Sequence, residues 1–170
     1  VFPIFGLLLE SPFKFNKDKY SFTYKPHTQL VVSPGASNSN KISNEESSNN
    51  SFNLTNFSSL NRYNGNDKLD NSKRINYGFD VYNKYYNFKL AQSYEFTDNS
   101  NFYLEQGNKY NLSDIFGSIG YINKNNLNYN FRYDPNQNFL KEQNIQITHP
   151  NKFGELNLSY LDQKSKTDGI

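Results

Sequence analysis

Apolar and polar residues alternate with a period of two over most of the chain, with few interruptions from Arg74 to Tyr160, and helical periodicity is nearly absent. In the clearest stretch Ile75, Tyr77, Phe79 and Val81 fall on one face and Arg74, Asn76, Gly78 and Asp80 on the other. The next stretch sets Phe88, Leu90, Tyr94 and Phe96 against Lys89, Ala91, Ser93 and Glu95. Ile115 to Tyr121 form a third, and Leu127, Tyr129, Phe131 and Tyr133 oppose Asn128, Asn130 and Arg132 in a fourth. Two more carry Ile145 with Ile147, and Leu156 with Leu158 and Tyr160. Upstream, Tyr20, Phe22, Tyr24, Thr28, Leu30 and Val32 alternate with polar partners, and Val1 to Leu9 make a less regular apolar strand. The pattern predicts about eight strands.

The connections alternate in length over the first part of the chain. Residues 33–72 are long and polar, the link at 83–85 is short, 97–113 is long and 123–126 is short. Antiparallel neighbours place every second loop on the same side, so one end of the sheet carries the elaborate loops. Short periplasmic turns and longer outer loops are what transmembrane barrels have. The later links, 134–138 and 150–154, are both short and follow the rule less well. A sandwich in water gives the same alternation, but its core favours Val, Ile and Leu. Here the apolar face is rich in Tyr and Phe, often near strand ends, as at Tyr20, Tyr82, Tyr94, Tyr121 and Tyr133. That placement suits interfacial girdles, where the ring is buried and the hydroxyl stays wet. The expected fold is therefore all-β: an antiparallel up-and-down transmembrane β-barrel, present as a partial barrel with a long extracellular-type loop over about 33–72. Its polar face would line a hydrated lumen, and a large barrel has room there for a plug.

Composition supports this. Only 35% of the 170 residues are hydrophobic while 17% are aromatic, and 29 asparagines punctuate the strands. The formal charge is +2 with Lys and Glu scattered along the sequence, which argues against a nucleic-acid partner. The absence of cysteine removes thiolate metal sites, disulfides and thiol nucleophiles. His27 and His149 sit on separate strands without acidic company, so no metal pair and no cofactor is expected. There is no Gly-x-Ser-x-Gly motif and no evident His partner for a serine, so an enzyme is not expected. Both ends read as arbitrary cuts from something longer, and a sheet cut from a barrel would leave two unpaired edges prone to aggregation.

The stretch NRYNGNDKLDNSKRINYGFD, Asn61 to Asp80, resembles a hallmark segment of the LptD (OstA) family, written loosely N-R-F-S-G-x-D-R followed by an acidic residue, a basic residue and N-Y-G. Downstream, LAQSYEF (Leu90 to Phe96) resembles the family's G-Q-S-Y strand, and the LSD of Leu112 to Asp114 its S-D-hydrophobic entry. Upstream, Lys25 to Phe52 is similar to the family's E-P, strand, S-P, small polar, N-E-D-S pattern, so most of the chain is covered. Lys68, Glu46 and Lys25 stand where the family usually has Arg, Asp and Glu. The resemblance implies that residues 1–170 are part of the family's C-terminal outer-membrane barrel, which receives lipopolysaccharide from a periplasmic bridge and inserts it into the outer leaflet. It also implies an LptE-type lipoprotein plug in the lumen, contact with bridge components through an N-terminal domain, and a lateral opening between first and last strands.

From the residues themselves, Asn64-Gly65 is a tight-turn signal. Arg62, Asp67, Lys68, Asp70, Lys73 and Arg74 bring alternating charge to the end of the long loop. Asn61, Arg62, Gly65, Asp67, Arg74, Tyr77 and Gly78 are the candidate residues of a clasp whose ion pairs pin the loop over the barrel mouth. The sharper alternative gives the basic members to lipopolysaccharide phosphates, or Glu45 and Glu46 to a bridging divalent cation. The rival readings are a generic outer-membrane porin and a soluble β-sandwich adhesin; neither has a reason to carry the hallmark stretch.

Overall fold

The computed structural model describes residues 3–17, 20–33, 53–54, 56–62, 70–97 and 111–164. These hold nine strands: β1 (Phe5–Glu10), β2 (Phe13–Lys17), β3 (Tyr20–Val32), β4 (Lys73–Tyr82), β5 (Tyr86–Glu95), β6 (Ile115–Ile122), β7 (Asn126–Asp134), β8 (Phe139–Asn151) and β9 (Gly154–Gln163). They form one sheet in the order β1-β3-β4-β5-β6-β7-β8-β9, with β2 also paired to β3. Every strand from β3 onward neighbours the next in sequence, the up-and-down arrangement the alternation predicts. β4, β5 and β9 have ten residues each and β3 and β8 thirteen, enough for a tilted bilayer crossing of roughly 9 to 11 residues.

The count is nine because a further short strand, β2, follows the Val1 to Leu9 segment that forms β1. Phe13 and Phe15 alternate with Lys14 and Asn16 beyond Leu9, and both β1 and β2 pair antiparallel with β3. The register runs through without a slip, from Glu10 opposite His27 to Phe13 opposite Tyr24. Between them Ser11 donates its N–H to the Pro26 carbonyl at 3.2 Å. Pro26 has no N–H to return, and Pro12 follows immediately, so the ladder loses its bonds there while the side-chain alternation continues.

The chain divides into two compact units. The first comprises Val1–Glu10, His27–Tyr77 and Ala91–Asp114; the second comprises Ser11–Pro26, Gly78–Leu90 and Ile115–Ile170. In the first, the polar face is the buried one: Gln29, Arg74, Asn76, Ser93 and Glu95 are withdrawn from solvent, whereas Phe5, Leu7, Leu9, Leu30, Tyr77, Tyr94 and Phe96 are exposed. A sandwich in water would bury the second set and expose the first. The second unit carries an aromatic row on its apolar face. Phe13 stacks on Tyr24 at 6.4 Å, Tyr24 meets Phe79 at 5.7 Å, and Phe79 meets Phe88 at 5.7 Å. Tyr86 meets Tyr121 at 5.0 Å. Rings on successive strands lie within the 4.5–7 Å range where their quadrupoles attract.

In the second unit β7 leaves β6 by a short turn and continues to β8 after an Asx-type turn, in which the Asp134 carboxylate accepts the N–H groups of Asn136 and Gln137 at 2.8 and 3.0 Å. Lys141 closes on the same carboxylate at 2.7 Å. The β7–β8 register shifts between Arg132 and Tyr133, a bulge at the loop end of the pair. Gly117 pairs directly with Phe131, whose ring occupies the space where a Cβ on Gly117 would stand. Gly117→Val should therefore destabilise the folded protein by about 1–3 kcal/mol through overpacking. Adding Phe131→Ala should recover part of that loss, as urea titration of the heat-modifiable folded band of the full-length protein would record. Additive losses would refute the close approach.

Candidate functional site

The described parts of the long loop are residues 53–54, 56–62 and 70–72, and Phe57 and Ser58 among them accept hydrogen bonds from the polar face of the first unit. Asn76 donates one amide to both the Gln29 side-chain oxygen and the Phe57 carbonyl, at 2.8 and 2.9 Å, and accepts from the Ser93 hydroxyl at 2.7 Å. Gln29 donates to the Ser58 carbonyl at 2.9 Å. Arg74 reaches the carbonyls of Ser59 and Leu60 at 2.6 and 3.2 Å. Loop carbonyls without strand partners thus find donors on the strands, which is the condition for burying irregular backbone.

Beside this seam lies an ionic network. Arg62 Nε and Nη2 engage both oxygens of Asp70 at 2.6 and 3.2 Å, the bidentate geometry that favours arginine. Arg74 Nη1 shares Asp70 Oδ2 at 3.1 Å, and Arg62 Nη2 also reaches Glu95 Oε2 at 3.2 Å. Glu95 accepts in addition from the Ser72 hydroxyl at 2.6 Å, the Lys73 N–H at 2.8 Å and the Thr97 hydroxyl at 3.0 Å. The four charged side chains are essentially inaccessible to solvent. Two guanidiniums against two carboxylates make the set neutral, and the bonds to each carboxylate offset the cost of taking it out of water. Carboxylates so saturated with donors are anchors; neither is placed to serve as a base for an outside substrate.

The candidate residues do not all gather here. Arg62 and Arg74 are in the network, and Asn61 supports it by accepting the Asp70 N–H at 3.1 Å. Tyr77 lies on the opposite, apolar face, where its hydroxyl donates to Gln92 at 2.8 Å. Gly78 follows it on β4, half-buried. Gly65, Asp67 and Lys68 lie outside the described residues, as do Glu45 and Glu46. Among the described residues no group of acidic and histidine side chains is arranged to hold a metal. His149 pairs with Asn125 at 2.6 Å, and His27 lies edge-on to Phe57 at 6.4 Å.

Two features differ from the sequence expectation. Of the charges that the sequence brings to the end of the long loop, Arg62, Asp70 and Arg74 are fully buried, while Lys73 is exposed. Glu95, Ser72, Gln29, Asn76 and Ser93 complete the arrangement, and of these the alternation had marked Asn76, Ser93 and Glu95 as polar-face residues without giving them partners. The signal was a run of polar positions too small or too acidic for a simple hydrated surface, next to a loop able to cover them.

In comparison with known proteins, a family model described as LptD, LPS transport system D, matches residues 1–170. No curated protein matches the chain.

Removing one member of the network should leave an uncompensated buried charge. Asp70→Ala in the full-length protein should cost about 3–5 kcal/mol, and Arg62→Ala combined with it should cost less than the sum of the two, by roughly 0.5–3 kcal/mol. The measurement is the urea midpoint of the folded band for the singles and the double. Strict additivity would show that the two side chains do not act together. Because the pairs are buried, raising salt to 1 M should move these differences little.

Proposed function

The chain belongs to the LPS transport system D family, an outer-membrane family of lipopolysaccharide transport and assembly, and from that premise we propose that it forms part of the barrel that inserts lipopolysaccharide into the outer leaflet. In this reading the barrel works with an LptE-type lipoprotein plug in its lumen and takes its cargo from periplasmic bridge components through an N-terminal domain. The observation that supports it most is the inverted sheet: charged and amide side chains buried on one face beneath a returning loop, and aromatic and aliphatic side chains exposed on the other. An apolar exposed face suits hydrocarbon, and a strand-built span leaves no backbone polar group unpaired once the barrel is closed.

The Arg62–Asp70–Arg74–Glu95 network has the role of a clasp in this proposal. It joins the loop to β4 and to the end of β5, and so keeps the loop over the polar face while a large amphiphile passes. A passive channel would share the strands but has no need for a neutral buried anchor at that loop.

Depleting the full-length protein in its native cell, and assaying lipopolysaccharide at the cell surface, tests the reading. Loss of surface lipopolysaccharide with accumulation further inside is the expected outcome. Normal surface lipopolysaccharide with altered permeability to small solutes would instead assign the barrel to passive conduction.

A further inference from the structure

Four short turns close the second unit at one end of its strands: 17–20 between β2 and β3, 83–85 between β4 and β5, 123–125 between β6 and β7, and 152–153 between β8 and β9. Each is entered by the same dipeptide, Asn16-Lys17, Asn83-Lys84, Asn123-Lys124 and Asn151-Lys152. The asparagines do structural work. Asn83 Oδ1 accepts the N–H groups of Tyr85 and Tyr86 at 2.7 and 2.8 Å, and Asn151 Oδ1 accepts that of Phe153 at 2.7 Å. Asn16 accepts from the Ser21 hydroxyl at 2.7 Å, and Asn123 donates to the Tyr121 hydroxyl at 3.0 Å. Two of the turns are thus held by their asparagines; all four lysines are exposed, and none of the four makes an ion pair among the described residues.

The charge is one-sided. Residues 16–20, 83–86, 123–126 and 151–154 together contain five lysines and a single acid, Asp18. The β3–β4 and β5–β6 connections, 33–72 and 96–114, contain four basic residues against seven acidic ones in the sequence. Just inside the lysines stand exposed rings: Tyr20, Tyr82, Tyr85, Tyr86 and, at the tip of the last turn, a wholly exposed Phe153. Lys84 Nζ lies over the Tyr85 ring at 5.3 Å. Aromatic rings at the level of the headgroups with cationic tips beyond them place ammonium groups where lipid phosphates lie.

We propose that this end of the second unit is a binding surface for the headgroup phosphates of anionic phospholipids in the leaflet that meets the short turns. Strands in a sheet are about 4.8 Å apart, so successive hairpin tips are about 10 Å apart, and each lysine engages its own lipid. The row therefore acts as an electrostatic fringe around the barrel foot, holding a ring of anionic lipid and fixing the depth of the strands in the bilayer. This goes beyond the proposed cargo and rests only on the membrane-spanning part of that reading.

The test uses the full-length protein in nanodiscs of phosphatidylethanolamine and phosphatidylglycerol with no lipopolysaccharide present, so its outcome is independent of transport. Spin-labelled phosphatidylglycerol should be favoured over spin-labelled phosphatidylethanolamine in the protein-bound lipid by about fivefold, the attraction of one engaged lysine. The preference should approach unity in 0.5 M salt and in the K17Q/K84Q/K124Q/K152Q variant, and should stay unchanged in Lys89→Gln on the strand face. Heat-modifiable mobility reports whether the quadruple variant folds, and the four single variants, each with a partial loss, serve if it does not. An equal preference in wild type and lysine variants, or none in wild type, overturns the proposal. Binding of an acidic polypeptide without any lipid preference also overturns it, and assigns the lysines to a protein partner.

Discussion

Two arginines and two carboxylates buried together on the face of a β-sheet are the constraint around which the first unit is organised. Arg62 comes from the loop, Asp70 from its last residues, Arg74 from β4 and Glu95 from the end of β5. No one of them is tolerable alone in a site without water; as a neutral set with serine and backbone donors they are. The loop has to return to this place for the charges to be matched. Its carbonyls at Phe57, Ser58, Ser59 and Leu60 are then supplied with donors by Asn76, Gln29 and Arg74.

That arrangement explains why the first unit has its polar face buried. A protein folded in water drives apolar surface inward and leaves charges outside. Among the described residues, buried hydrophobic side chains are limited to Val31, Phe57, Ala91 and Phe116, while Phe5, Leu7 and Leu9 of the first unit are exposed. In the membrane reading, surrounding lipid would accept such a surface at no cost, leaving specificity on the polar face to hydrogen bonds and ion pairs. The second unit shows the complementary side of the same design. Its rings form rows across neighbouring strands on the apolar face, Phe131 covers the gap at Gly117, and Arg132 lies over the Phe116 ring at 5.9 Å on the polar face.

Topology also gives meaning to residues that look unremarkable in line. Lysines separated by dozens of positions appear scattered, and nothing in their spacing along the chain suggests a patch. An up-and-down order brings every second connection to the same end, so Lys17, Lys84, Lys124 and Lys152 become neighbours there. Asn83 and Asn151 accept N–H groups of their own turns, next to Lys84 and Lys152, which are exposed.

The sequence by itself determined the strands and their faces, because a side-chain period of two is a local property that survives in any antiparallel sheet. It located Ile75 to Val81, Phe88 to Phe96 and Leu127 to Tyr133, and the aromatic bias of their apolar side pointed to lipid. It overlooked β2, whose five residues follow a proline and look like the tail of β1 until both are seen against β3. Tertiary structure alone decided which polar residues became partners. Arg62 lies 33 positions from Glu95, and Gln29 lies 47 from Asn76; alternation says only that such residues share a face. Whether a charge on that face meets water, a loop carbonyl or an opposite charge depends on where the loop returns, and that is set by the sum of its long-range bonds.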